Sequence, residues 1–207
     1  LATAVIFATG IFFPAPIHGA DFELVGRELA RMLQNGHYAR LAFNEDLSRR
    51  FLERYLDSLD GNKIYFLERE VTEMKRRYER VLHDRISTKS IMPVANNIHE
   101  IYRGRVMARV AYVKDLLASK EFTFEEKRVV IDDRGEVPWP VDDLELRKIW
   151  SDNLENLLLS ETVRRARLKA RAIEGGKPDP FRSKPSIKKT VDLKFDRLLK
   201  SIEEIEQ

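Results

Sequence analysis

From Asp21 onward the apolar residues return every three or four positions, and no stretch alternates with period two over any length. That periodicity allows helices and little else. Val25, Leu29, Met32 and Leu33 mark a first helix, which Asn35-Gly36 should stop because Gly tolerates the left-handed conformation. Asn44 is a good N-cap for a second, with Leu47, Phe51, Leu52, Tyr55, Leu56 and Leu59 on one broad face. A third carries Leu67, Val71, Met74, Tyr78, Val81 and Leu82 in one continuous stripe. Only Asp60-Gly61-Asn62 and the aromatic-rich Ile64-Tyr65-Phe66-Leu67 separate the second from the third, so the two should lie antiparallel. Gly61 is expected to supply a backbone angle that a residue with Cβ resists.

A long fourth helix is expected over Ser90 to Ala118, with Pro93 in its first turn. Thr123-Phe124-Glu125-Glu126 has the order of a capping box and should open a short fifth. The loop from Asp132 to Asp142 holds Trp139 extended between two prolines, where it should pack the loop onto the core. A sixth helix runs from Leu144 to about Ile173, and after the loop Glu174 to Ser186 a last one spans Ile187 to Glu206. The expectation is all-α: about seven helices in an irregular bundle, with Phe51, Tyr55, Phe66, Val71, Tyr78, Ile98, Tyr102 and Trp150 buried. Val129-Val130-Ile131 is the one β-like triplet.

The first twenty residues differ from the rest. Leu1 to Phe13 is uncharged and almost wholly apolar, Pro14 and Pro16 break it, and Gly19-Ala20 offers small residues before Asp21. An apolar run of that length is too short to span a bilayer as a helix. It has the h-region and c-region of a secretory signal peptide, which divides the chain into residues 1–20 and a helical domain over 21–207. The basic n-region is missing, so the sequence is expected to be a fragment. A buried core helix and an uncleaved membrane anchor are the alternatives.

No residue is assigned to catalysis, to a cofactor or to a metal. The chain has no cysteine, and His18, His37, His83 and His99 lack metal-ligand spacing. Gly175-Gly176 lacks the Lys-Ser/Thr of a phosphate loop, and no nucleophile elbow is present. Glu68, Glu70 and Glu73 could do paired acid–base work, but Lys75, Arg76 and Arg77 follow them, the order that the helix dipole favours. Arg164 to Lys200 holds 13 Lys or Arg against four Asp or Glu. Such a stripe suits phosphates or acidic lipid head groups, or is a solvated face with counter-charges nearby. No aromatic interleaves its alternating start, Arg164 to Arg171, which makes nucleic acid a poor partner.

The series His37-Tyr38, Leu47-Ser48, Tyr55-Leu56, Leu59-Asp60 and Tyr65-Phe66-Leu67 resembles the N-terminal helical domain of tail-specific proteases, the carboxy-terminal processing peptidases of bacteria. Phe122-Thr123 with Glu125, then Leu146, Ile149-Trp150, and finally Leu193, Phe195, Arg197 and Leu198 continue it, so that it covers roughly Leu29 to Glu206. The family commonly has Pro after Leu-Asp, where this chain has Gly61. The resemblance implies a non-catalytic front domain of a periplasmic serine endopeptidase that acts on proteins with apolar, unstructured C-termini. The family's PDZ region and Ser–Lys dyad would lie beyond Gln207, so no catalytic residue is carried onto this chain. The implied partners are the downstream PDZ and protease domains, protein or peptide substrates, and an adaptor protein in the periplasm. A membrane would be met only through the apolar leader. Two other readings stay open: a stand-alone secreted helical interaction module, and a nucleic-acid or membrane-surface binder acting through 164–200.

Overall fold

The computed structural model describes residues 28, 31, 32, 44–88, 91–124, 129–131 and 133–204. Among them are six helices and no strand: α1 (Glu45–Asp60), α2 (Glu68–Tyr78), α3 (Leu82–Thr88), α4 (Met92–Ser119), α5 (Asp143–Glu174) and α6 (Ile187–Glu203). The fold is all-α, as the periodicity requires. The leader, the pair His37-Tyr38 and the continuation, from Glu125, of the short helix expected after Thr123 lie outside the described residues. So does most of the first expected helix, of which Glu28, Arg31 and Met32 are described. At the expected start of the short helix Thr123 and Phe124 are not helical, and Phe124 takes φ +57.

Local chemistry sets the helix ends. The Asn44 side chain accepts from the Leu47 N–H at 3.0 Å, and Asp142 accepts from Glu145 N–H at 2.8 Å. Ser186 accepts from Lys189 N–H in the same way, and Pro93 sits in the first turn of α4. The C-terminus of α5 is a Schellman motif. Gly176 takes φ +66, its N–H donates to Ile173 C=O, and Lys177 N–H donates to Ala172 C=O.

Two apolar clusters share α4. Leu52, Leu56, Phe66, Val71, Met74, Leu82, Val94 and Ile98 join α1, α2 and α3 to its first half. Val106, Val110, Val113 and Leu117 of its second half pack with Leu154 and Leu158 of α5 and Val191, Phe195 and Ile202 of α6. Glu53 meets Lys75 at 3.6 Å, seven residues before the end of α1 and seven after the start of α2, as antiparallel neighbours must.

Four other expectations need correction. The third helix is not continuous: it stops at Tyr78, and a turn leads into α3. That turn carries Leu82 into the first cluster, and the His83 N–H bonds to the Ser48 hydroxyl of α1 at 2.8 Å instead of to its own helix. Phe51 is 40% exposed, at the edge of the α1 face rather than under it. Tyr55, Tyr78 and Tyr102 are half-buried, because a phenol at a helix edge keeps its hydroxyl near polar groups. Tyr55 OH donates to Ala95 C=O and Tyr78 OH to the Asn97 side chain. Last, Gly61 is right-handed, with φ −59 and ψ −29, and the left-handed residue of that turn is Lys63, at φ +51.

Candidate functional site

The densest group of specific contacts surrounds the turn between α1 and α2. Asp60, the last residue of α1, is 2% exposed. Its carboxylate accepts from the backbone N–H groups of Ile64 (2.7 Å), Tyr65 (3.0 Å) and Phe66 (2.9 Å). The Trp139 indole N–H reaches the same carboxylate at 3.3 Å. Burial pushes the Asp60 carboxyl above its ordinary range, and these four donors pull against that push. The loop thus wraps around one carboxylate, because a seven-residue reversal has no other acceptor for its inward N–H groups.

The loop's fixed path sends three consecutive side chains into three places. Tyr65 enters the cluster of α4, α5 and α6, Phe66 enters the cluster of α1–α4, and Leu67 packs with Leu146 and Trp150 of α5. Trp150, 3% exposed, donates its indole N–H to Ile64 C=O at 2.6 Å. Both tryptophans of the chain therefore bond to this turn. Trp139 does pack its loop onto the core, and Lys63 stands 4.8 Å above its ring.

Charge closes the outside of the hub. Glu70 accepts from Leu67 N–H at 2.9 Å and from Arg105 of α4 at 2.8 Å, and Arg105 also bonds Asp143 at the start of α5 at 2.6 Å. Arg105 holds the Asp143 carboxyl below the usual carboxylate range. Of the three glutamates on α2, Glu70 is thus a clamp between helices, and Glu73 is occupied by Arg76 and Arg77, which hold it at about 2. Glu68 is exposed. Glu70 and Glu73 border one groove beside Arg69 and Arg77, but each is already engaged by arginines, Glu70 by Arg105 and Glu73 by Arg76 and Arg77.

The basic stripe resolves into pairs. Glu161 accepts from Arg164 at 2.7 Å and from Arg165 at 2.8 Å, and the Arg164 guanidinium, with Arg165 beside it, lowers its carboxyl to about 2. Arg165 also donates to Pro185 C=O and to the Thr190 hydroxyl, tying the loop and α6 to α5. Both guanidiniums lie over the Phe181 ring, at 5.5 and 4.9 Å. Lys169 meets Asp179, and Lys189 meets Asp192. Much of this charge serves structure. Phe181, whose ring answers the two arginines from across the loop, was not visible as their partner in the sequence because 16 residues separate it from Arg165.

A pocket of about 160 Å³ between α1 and α4, lined by Phe51, Leu52, Tyr55, Leu82, Val94 and Ile98, is apolar. Among the described residues no three His, Asp or Glu side chains converge as metal ligands, and no helix is long and apolar enough to cross a membrane.

Comparison with known proteins fits the same frame. Residues 29–206 match the family described as Tail specific protease N-terminal domain. A tail-specific protease of Haemophilus influenzae is 22% identical over 145 residues, which cover 70% of this chain and 21% of that protein. The chain therefore spans about a fifth of that relative's length. The anchors Tyr55-Leu56, Leu59-Asp60 and Tyr65-Phe66-Leu67 supply the hub and parts of the three clusters, Ser48 of the anchor Leu47-Ser48 bonds His83, and the chain belongs to the tail-specific protease N-terminal domain family.

Proposed function

We propose that this chain is the non-catalytic helical front of a periplasmic endopeptidase that acts on proteins with apolar, unstructured C-termini. In this reading the domain packs on the protease core of the same polypeptide, limits access to it, and offers a surface to protein partners. The observation that carries the reading is the family match across 29–206. The Haemophilus relative, named a tail-specific protease, supports it. The hub suits such a part. A turn held by four hydrogen bonds to one carboxylate and by three buried side chains gives a stiff wall, and a wall does its work by shape.

Chemistry would then come from the downstream polypeptide. The test joins this chain to its native continuation and offers a peptide ending in apolar residues. The joined protein should cleave it, and the 207-residue chain alone should not. Cleavage by the chain alone that survives repurification would overturn the reading. Export is checked separately: the mature secreted protein should begin at or near Asp21, and one that retains Leu1 to Phe13 would be an anchored protein instead.

A further inference from the structure

The last third of α5 is held on one side only, where Arg165 and Lys169 reach the loop after it and α6. Buried positions on this helix, Leu146, Trp150, Leu154, Leu158 and Glu161, form one line that ends at Glu161. From Val163 to Glu174 every residue except Arg165 and Ala172 is exposed. At 1.5 Å per residue that segment is about 18 Å long. Its far side is not polar. Leu159, Val163, Ala166, Ala170 and Ile173 follow one another at intervals of four, three, four and three residues. At 100° per residue they fall on a strip roughly 140° around the helix from the buried line, so they face away from the packed side of α5. Leu159 and Val163 are about two-fifths exposed and Ile173 is 61% exposed.

The spacing is the one by which a second helix packs along a first. The side chains agree with it. Ala166 and Ala170 in the middle of the strip would let another helix backbone come close, whereas a helix lying on lipid is served by bulky apolar residues there. The flank decides the charge of the occupant. Arg167 and Arg171 border the strip and have no acidic partner among the described residues, unlike Arg164, Arg165 and Lys169. Two copies of the segment packed antiparallel would bring these arginines against each other, which disfavours self-association.

We infer that this strip of α5 docks an amphipathic helix with acidic flanks, supplied by a separate protein partner. The assignment rests on the partner-surface part of the function proposed above and says which surface it is and what chemistry fits it. The partner's apolar line would lie on Leu159, Val163 and Ala166, and its carboxylates would pair with the two free guanidiniums.

The probe is a labelled helical peptide with Leu at the same four-three spacing and Glu on both flanks, titrated into the 207-residue chain. A second peptide carries Lys in place of each Glu. The Glu peptide should bind and the Lys peptide should not. Val163→Asp should weaken binding at least about tenfold, and Arg167→Glu with Arg171→Glu should do the same and favour the Lys peptide instead. Arg182→Glu with Lys184→Glu, which changes exposed basic residues of the neighbouring loop, should leave binding unchanged. All these positions are exposed, and an unaltered denaturation midpoint verifies that each variant is folded. The inference is overturned if neither peptide binds or if Val163→Asp binds as well as the parent. It is equally overturned if the strip variants leave the peptide alone but abolish binding to phosphatidylserine-containing vesicles, or dissolve a dimer seen by sedimentation. Cleavage of an apolar-tailed peptide by the joined protein is scored in parallel. Lost peptide docking with intact cleavage refutes the docking strip alone, and absent cleavage refutes the protease reading.

Discussion

Asp60 and Glu161 are the two acidic side chains that the fold buries among the described residues, and they are held in opposite ways. Asp60 takes its hydrogen bonds from backbone N–H groups and an indole, deep beside three apolar clusters. Glu161 takes its own from two guanidiniums at the end of the buried line of α5, and its cover is those same arginines. The first carboxylate is raised by burial and the second is lowered to about 2 by Arg164 and Arg165. The contrast separates a hub, where removing one group orphans several others, from a surface clasp, where water can take over.

The largest effect should come from Asp60→Ala. It leaves three backbone N–H groups and the Trp139 indole N–H without their acceptor, two of them on the buried residues Tyr65 and Phe66. Each buried unsatisfied donor costs about 1–3 kcal/mol, and with partial relaxation the total should be about 3–5 kcal/mol. Urea denaturation measures it, and intrinsic fluorescence adds a local reading because both tryptophans bond to the turn. A loss under about 1 kcal/mol would make Asp60 no more than a clasp.

Next is Trp150→Phe. The ring stays apolar, but Ile64 C=O loses a 2.6 Å hydrogen bond and the pocket is underfilled, which should cost about 1–3 kcal/mol. Trp139→Phe should cost less, since its bond is longer and its ring half-buried. Equal costs would show that the hub does not distinguish its two indoles.

Gly61→Val is smaller again. A Cβ at Gly61 would sit 3.0 Å from the Asp57 carbonyl oxygen, a backbone atom that cannot swing away. The expected cost is about 1–2 kcal/mol, from crowding rather than from a forbidden backbone angle. Lys63→Gly is the partner experiment. It relieves a left-handed residue but gives up chain stiffness and the contact with Trp139, so its net effect should stay within about 1 kcal/mol. A large gain from Lys63→Gly would place the strain of the turn at that residue.

The helical class, the cap at Asn44 and the run of the long helices were legible because each depends on neighbours three or four residues apart. Asp142 and Ser186 cap by the same local rule, but in the sequence they stood only as the ends of loops. The break after Tyr78 was not legible, because the contact that accompanies it, the His83 N–H on Ser48, joins residues 35 apart in the chain. Asp60 was legible as part of a turn and as part of a family pattern. Its role as acceptor for three N–H groups was hidden, because a buried carboxylate has the same letter as an exposed one. Val163 keeps the helical spacing of the apolar residues of α5, yet it is 39% exposed, because it faces away from the loop and α6 that hold Arg165.

Glu161→Gln should have the smallest effect, and its pH dependence separates the two carboxylates best. At neutral pH the cost should be about 1 kcal/mol or less, and added salt should reduce it, because an exposed arginine such as Arg164 loses little by returning to water. The sign follows from linkage. The folded carboxyl lies at about 2, below the ordinary glutamate value of 4.5, so its contribution is complete above that ordinary value. It is lost as pH falls through the folded value. The difference in denaturation midpoint between the parent and Glu161→Gln should therefore be flat above about pH 5 and shrink from there towards pH 2. Asp60 should run the other way. Its folded carboxyl is raised, so the margin of the parent over Asp60→Asn should be widest below the ordinary aspartate range and should narrow as pH rises through the folded value. Two slopes of opposite sign would establish that one buried acid is governed by burial and the other by its arginines. If both margins shrink towards low pH, donors outweigh burial at Asp60 as well, and the two sites differ only in how many groups depend on them.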